Sequence, residues 1–161
     1  MLFRSVTATD ARFGGPTPLS IARGRLEASG LIAQGRTTID ATVSGEGVSS
    51  GRLFIGRMAA NARLVNGSGT VVASVAGSRG SRFALTGTGQ ISPNRVIVLA
   101  SGEYAGRRIT MPRRAMLTRD PQGGWNLAPT QVGFGNGIVI ASGHVLGDRT
   151  DLELKMAQMP L

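Results

Sequence analysis

The feature that most constrains this chain is an alternation of apolar and polar residues with a period of two, repeated between closely spaced turn signals. Three segments show it best, at residues 38–43, 82–91 and 151–156. In the last segment Leu152, Leu154 and Met156 alternate with charged residues. Successive side chains of a β-strand point to opposite faces, so this pattern predicts strands with one apolar and one solvated face.

Turn residues divide these strands at short intervals. The clearest turn signals are Asn66-Gly67, Asn136-Gly137, Pro93-Asn94, Gly45-Glu46-Gly47, Pro121-Gln122-Gly123-Gly124 and Gly147-Asp148. Asn-Gly between apolar runs favours a hairpin because both residues tolerate positive φ. No useful window has apolar residues at helical spacing with few Gly, so the chain is predicted to be an antiparallel meander with essentially no helix. A shift of apolar phase across Gly24 indicates a bulge or bend.

Length and composition limit the core. With 161 residues the chain is predicted to form a single domain over 1–161. Because it contains 24 Gly and only seven aromatic residues, its core is predicted to be thin and made of aliphatic side chains. A sheet with one apolar face can close into a barrel, pair into a sandwich or curl into a trough. Periodicity alone leaves these outcomes open.

The charge is strongly basic, with 18 basic and nine acidic side chains and a formal net charge of +9. Such a balance favours an anionic partner. The Arg residues are scattered, however, and aromatic residues are too few to interleave with them for base stacking, so nucleic acid is not an expected partner. We interpret the charge mainly as solvation of outward strand faces, with lipid head-group contact as the alternative.

Targeting signals are also missing from the sequence as given. The longest apolar runs fall short of the roughly 18 residues of a membrane helix, and the residues after Met1 do not open a signal peptide. The chain is therefore either cytoplasmic or a section of a longer protein. The absence of Cys excludes disulfides and thiolate metal sites.

The sequence offers little for catalysis. His144 is the single histidine, and Asp148 and Asp151 follow it closely, so a metal site or an acid–base pair can be considered. A turn at Asp148 and an outward carboxylate at Asp151 explain these residues better, and no second histidine completes a typical zinc set. We therefore expect no catalytic residue, no metal and no cofactor, and the chain is not expected to be an enzyme.

Several motifs follow one another in a recognisable order. They are Ala11-Arg12-Phe13-Gly14-Gly15-Pro16, Gly80-Ser81-Arg82-Phe83-Ala84-Leu85, Tyr104-Ala105-Gly106, Met111-Pro112-Arg113-Arg114-Ala115, Gly123-Gly124-Trp125-Asn126-Leu127-Ala128-Pro129-Thr130, Gly133-Phe134-Gly135, Ile140-Ala141-Ser142-Gly143-His144 and the final run 152–161. This order resembles the repeating segments of the TamB family, within the wider AsmA-like group.

The resemblance implies a β-taco, a long antiparallel sheet curled into an open trough with an apolar interior. It also implies a periplasmic location, tethered to the inner membrane of a Gram-negative bacterium through a segment absent from this chain. The implied clients are phospholipid or unfolded outer-membrane proteins, with a TamA-like outer-membrane protein as partner. The sequence departs from the family in lacking the anchor, the C-terminal domain and most of the length, so we interpret it as a section of a much longer protein.

Candidate lining residues for such a trough are apolar positions of the alternating segments and of the two runs that are apolar on both faces. They are Leu85, Ile91, Val98, Ile140, Leu152, Leu154 and Met156. The same residues suit a closed core, so a secreted or surface β-solenoid of the adhesin type, with parallel coils, is an alternative. A carbohydrate-acting enzyme on a β-helix is a second alternative, but the nine acids are too dispersed for its carboxylate cluster.

Overall fold

The computed structural model describes residues 2–15, 18–146 and 149–158, and these residues form β-strands without a helix. The strands are β1 Leu2–Phe13, β2 Leu19–Ala33, β3 Arg36–Ser50, β4 Leu53–Val65, β5 Ser68–Arg79, β6 Ser81–Ser92, β7 Arg95–Tyr104, β8 Arg107–Thr110, β9 Ala115–Arg119, β10 Trp125–Phe134, β11 Gly137–Leu146 and β12 Arg149–Ala157. The all-β prediction is confirmed.

All described strands belong to one elongated, curved antiparallel sheet whose order follows the chain. Two short strands, β8 and β9, lie in tandem between β7 and β10, so twelve strands occupy eleven positions. The β-solenoid alternative requires parallel coils, whereas each recorded pairing is antiparallel.

Tight turns join most neighbouring strands. Asn66 and Gly67 have φ values of 50° and 76°, so both occupy the left-handed region that the Asn-Gly signal predicts. Two turns that the sequence analysis missed, Gln34-Gly35 and Ala105-Gly106, have the same pair of positive φ values. Since Gln and Ala are unusual in this conformation, composition gave no signal for these turns.

Two turn predictions need correction, and a third lies outside the described residues. The Asn136-Gly137 turn is displaced by one residue, because Gly137 begins β11 and Gly135, with φ 57°, forms the turn with Asn136. Gly45-Glu46-Gly47 lies inside β3, where Gly47 has φ 63° at an interruption of the pairing with β2 and β4. Here the positive φ of Gly47 accommodates an irregularity within the strand and not a turn. The Gly147-Asp148 prediction falls outside the described residues.

Ala105 provides a first test of the turn geometry. For residues other than Gly, Asn and Asp, the left-handed conformation costs about 1–2 kcal/mol, and Ala105 has φ 51°. Ala105→Asn is therefore expected to raise the free energy of unfolding by about 0.5–1 kcal/mol. Urea unfolding would measure it, with Ala84→Asn in the strand β6 as the control that should not stabilise. Equal effects at both positions would contradict the turn assignment.

The sheet is not covered by a second layer of the described residues. Contacts between strands join neighbours within the sheet, and Ala115 and Thr130, each 7% exposed, are the buried residues other than glycine. The accessible surface is 11360 Å², whereas a compact protein of 16.7 kDa exposes about 7,600 Å². Ordinary globular packing therefore does not hold this molecule together, and the backbone ladder carries more of the structure than usual.

Four strand glycines mark places where neighbouring backbones approach unusually closely. A Cβ added to Gly69, Gly77, Gly102 or Gly143 would lie 1.8, 2.1, 2.1 or 2.2 Å from a carbonyl oxygen of the adjacent strand. Only glycine permits this approach. The predicted curvature can therefore be assigned to these four glycines and to the register shift between Ile55 and Arg57.

Candidate functional site: an apolar sheet face

The pairing register assigns each strand residue to one of two faces. Directly opposite residues of antiparallel strands project to the same face, so faces can be followed from strand to strand. One face is predominantly apolar and is called the apolar face below; the register also places Arg4, Arg107 and Arg119 on it. Its members include Leu26, Val43, Leu64, Val71, Leu85, Val98, Leu117, Leu127, Val139 and Leu154. The opposite, polar face carries most of the Thr, Ser and charged residues of the strands.

The apolar face is the more enclosed of the two. Val71 and Val72 are neighbours in β5 with the same side chain, but Val71 on the apolar face is half-buried whereas Val72 on the polar face is 53% exposed. Because no described second layer covers either residue, the difference reflects crowding within the sheet itself. The four closely approached glycines also belong to the apolar face by register.

Exposure on the apolar face rises toward the ends of the sheet. Val6 in β1 is 61% exposed, and Leu152, Leu154 and Met156 in β12 are 57%, 54% and 63% exposed. Residues such as Leu85 in the central strands are half-buried instead. The central strands have neighbours on both sides and the edge strands on one, which accounts for the gradient.

Six of the seven predicted lining residues share the apolar face. Leu85, Ile91 and Val98 lie in its central part, and Leu152, Leu154 and Met156 lie along β12. Ile140 does not belong with them. It stands opposite Gln131 and Lys155, which places it on the polar face at 39% exposure. The prediction for Ile140 is therefore wrong, because the run Ile138 to Ile140 is apolar on both faces and gives no phase from sequence alone.

Small side chains occupy the middle of the apolar face and larger ones flank them. Two adjacent cross-strand rows contain mainly Ala, Gly and Val: Val43, Ala60, Ala73, Gly87 and Ala100, and Ala41, Ala62, Val71, Gly89 and Val98. On one side the next row includes Ile39, Leu64, Ile91 and Val96, and on the other it includes Met58, Val75 and Leu85. The flanking rows also contain Gly69, Gly45 and Gly102, so the difference in side-chain size between the rows is one of average size.

Trp125 lies at the far part of the same face. It stands opposite Arg119 in β9 and Val145 in β11 and is half-buried. Two residues further along β10, Leu127 pairs with Leu117 on that face. The single tryptophan is therefore a natural spectroscopic reporter for the apolar face.

Several recesses of the described surface lie on the polar face. One has a volume of about 650 Å³ and is lined by side chains including Asn126, Ser142, His144, Asp151 and Glu153. Another, of about 570 Å³, lies among Phe54, Arg57, Arg82 and Glu103. They are open depressions between polar side chains, so the apolar face is a broad surface and not a closed ligand pocket.

His144 is held by a residue that the sequence analysis did not connect with it. Its Nε2 lies 3.2 Å from Oδ2 of Asp120, while Oδ1 of Asp120 accepts hydrogen bonds from the backbone N–H groups of Gln122 and Gly124. Asp151 stands opposite His144 in the β11–β12 pairing, and Asp148 falls outside the described residues. This proximity brings the turn after β9 against β11, and Asp120 Oδ2 is buried without a hydrogen-bond partner among the described residues.

The described residues contain no group of three or more His, Cys, Asp or Glu side chains that could hold a metal ion. Nor do they contain a helix with the length and hydropathy needed to cross a membrane. The distinctive feature that remains is the extended apolar face.

Comparison with known proteins identified no relative of this chain. No protein-family model, no curated protein and no solved structure matches the chain.

Proposed function

We propose that this chain is a non-enzymatic section of a periplasmic bridge, whose apolar face supports the passage of phospholipid, or of unfolded outer-membrane protein, between the two membranes. The TamB-like motif order described above suggests the compartment and the cargo. In that arrangement the chain needs no cofactor or metal. A TamA-like outer-membrane protein would be its partner through the full-length protein.

The observation that carries this proposal is an extended apolar face that is covered by no second layer of the described residues. Removing apolar surface from water is worth about 25 cal/mol per Å², or about 0.8 kcal/mol per methylene group. A guest with acyl chains or alternating apolar side chains gains this energy wherever it lies on the face. Because the interaction is non-directional, the guest can move along the sheet without breaking specific bonds.

The shape of the face suits an extended guest. The two central rows of Ala, Gly and Val leave room for a guest, and the flanking rows that contain Leu64, Ile91 and Leu85 provide contact on its sides. A chain lying along these rows would cross successive strands in turn.

Photocrosslinking tests the proposal with matched neighbours in the sheet. A benzophenone amino acid at Leu85 or Leu154 should form adducts with phospholipid carrying a clickable acyl chain, several-fold more than at Thr86 or Ile140. Leu85 and Thr86 are adjacent in β6 but project to opposite faces, and Ile140 is the apolar residue on the polar face. Parallel reactions with an unfolded outer-membrane β-barrel protein distinguish the protein client. Equal labelling of the two faces by both cargoes would refute conduction along the apolar face.

A further inference from the structure

A cluster of two Arg and three aromatic residues lies where the apolar face meets the turns that follow β5 and β7. The register assigns all five residues to this face: Arg79, Phe83, Tyr104, Arg107 and Phe134. Tyr104 stands opposite Phe83 in β6 and opposite Arg107 in β8. These five residues are called the rim cluster below. They give the apolar face a basic and aromatic border at this margin of the sheet.

Contacts within the rim cluster connect its aromatic and basic side chains. The ring centroids of Tyr104 and Phe134 lie 6.3 Å apart, and the two rings are tilted by 47°. Cζ of Arg107 lies 5.9 Å from the centroid of the Phe134 ring, which is a cation–π arrangement. The Tyr104 hydroxyl donates a hydrogen bond of 3.1 Å to the backbone oxygen of Arg79. Tyr104 and Phe134 therefore join the two basic residues through one aromatic group.

The rim cluster combines an apolar body with charged groups in water. Arg79 and Arg107 are exposed, whereas the three aromatic residues are half-buried. Guanidinium N–H groups lie in the plane of the group and match the oxygens of a phosphate, while an aromatic ring contacts the face of that plane. The stacking of Arg107 on Phe134 is therefore compatible with an anion in the guanidinium plane. A guest with a phosphate at one end and an apolar chain at the other fits this border.

The charge around the rim cluster has one sign. Strands β5 to β11, which all lie in the described part of the chain, contain a single acidic residue, Glu103. Glu103 stands opposite Ala84 and Arg108, so it projects from the polar face. An anionic group is therefore attracted to the rim cluster without repulsion from a carboxylate of these strands on the same face. The ammonium group of a zwitterionic lipid would find no such carboxylate beside it.

We propose that the rim cluster binds the phosphate groups of anionic phospholipids, whose acyl chains lie on the apolar face over Phe83 and Leu85. The inference rests on the proposed function and adds a choice of cargo to it, namely a lipid whose head group carries a net negative charge. The head group stays at the turns, in contact with water and with Arg79 and Arg107, while the acyl chains are removed from water.

Photocrosslinking from Leu85 tests the head-group site separately from the apolar face. Phosphatidylglycerol with a clickable acyl chain should label this position several-fold more than phosphatidylethanolamine or diacylglycerol with the same chains, each presented in the same non-ionic detergent. Arg79→Gln with Arg107→Gln should remove this preference and leave the labelling by diacylglycerol unchanged. Arg82→Gln with Arg108→Gln is the matched control, because it removes the same charge beside the same turns but from the polar face. This control should keep the preference.

Salt dependence gives a second measurement that needs no substitution at the rim cluster. Raising NaCl from about 50 to about 500 mM should lower the labelling by phosphatidylglycerol several-fold and leave that by diacylglycerol unchanged, because salt screens charge pairs and not the burial of acyl chains. Arg79→Lys with Arg107→Lys keeps the charge and should retain part of the preference. Circular dichroism checks that each variant is folded.

The outcomes separate the head-group site from the proposed function. Labelling by phosphatidylglycerol no greater than by either reference lipid would overturn the head-group site and leave the apolar face as a cargo surface. The same conclusion would follow if the two double Gln variants lost the preference equally, or if salt affected all three lipids alike. Absence of labelling at Leu85 by every lipid would overturn the proposed lipid passage together with the head-group site.

Discussion

Gly102→Ala is expected to lower the free energy of unfolding by about 2–3 kcal/mol, although it adds only one methyl group on an uncovered sheet. The new Cβ would lie 2.1 Å from the carbonyl oxygen of Ala84 and 2.8 Å from Cα of Leu85. Backbone atoms cannot move aside as a flexible side chain does, so the bend between β6 and β7 must open. The methyl group therefore costs more here than its volume suggests.

Gly87→Ala is the matched control, since Gly87 lies in β6 on the same apolar face. A Cβ there would meet the Leu99 oxygen at 3.5 Å and the Ala100 Cβ at 3.8 Å, which are ordinary contacts. This substitution should leave stability unchanged or raise it by up to about 1 kcal/mol, because glycine is unfavourable in a strand interior. Urea unfolding of both variants measures the difference. A destabilisation as large at Gly87 as at Gly102 would show that the close approach at Gly102 is not what limits substitution.

The second large effect is expected from a charge placed on the apolar face. Val71→Asp should destabilise the protein by about 2 kcal/mol or more, because Val71 is half-buried between Ala62 and Gly89, which offer a carboxylate no partner. Val72→Asp introduces the same group one residue later. It projects beside Asn61 and Thr88 on the polar face and should change stability by less than about 1 kcal/mol.

The same two variants connect stability with function. If the apolar face receives cargo, Val71→Asp should also reduce quenching of Trp125 fluorescence by brominated phospholipid. The measurement is made without denaturant, at a temperature at which both variants remain folded. Val72→Asp should leave the quenching unchanged. Similar losses for both variants, in stability or in quenching, would mean that the two faces are not distinct environments.

The expected sensitivity of Gly102 and Val71 follows from how a single-layer sheet is stabilised. Among the described residues, Ala115 and Thr130 are the buried residues other than glycine, so no large core side chain there dominates the folding energy. Stability is instead spread over backbone hydrogen bonds and over apolar contacts between neighbouring strands. Damage to one junction between strands is therefore not offset by a core elsewhere.

Local chemistry accounts for much of what the sequence predicted correctly. Period-two alternation predicted the strands and, for Leu85, Leu152 and Leu154, also the face. Asn66-Gly67 predicted its turn because the conformation needed there is one that few other residues adopt easily. The prediction failed at Ile140, because a run that is apolar at every position does not show which residues project to which face. It also failed at Gly45-Glu46-Gly47, because glycine is suited both to turns and to irregularities within a strand.

Alternation and turn residues are enough to predict antiparallel strands with one apolar face, because both act over a few neighbouring positions. The structure was needed to establish that the strands remain in one curved layer, that Ile140 faces away from the apolar side, and that Asp120 lies beside His144. These features depend on register and on backbone approach between strands. Such distances are set by the whole ladder of hydrogen bonds, and no single segment of the sequence encodes them.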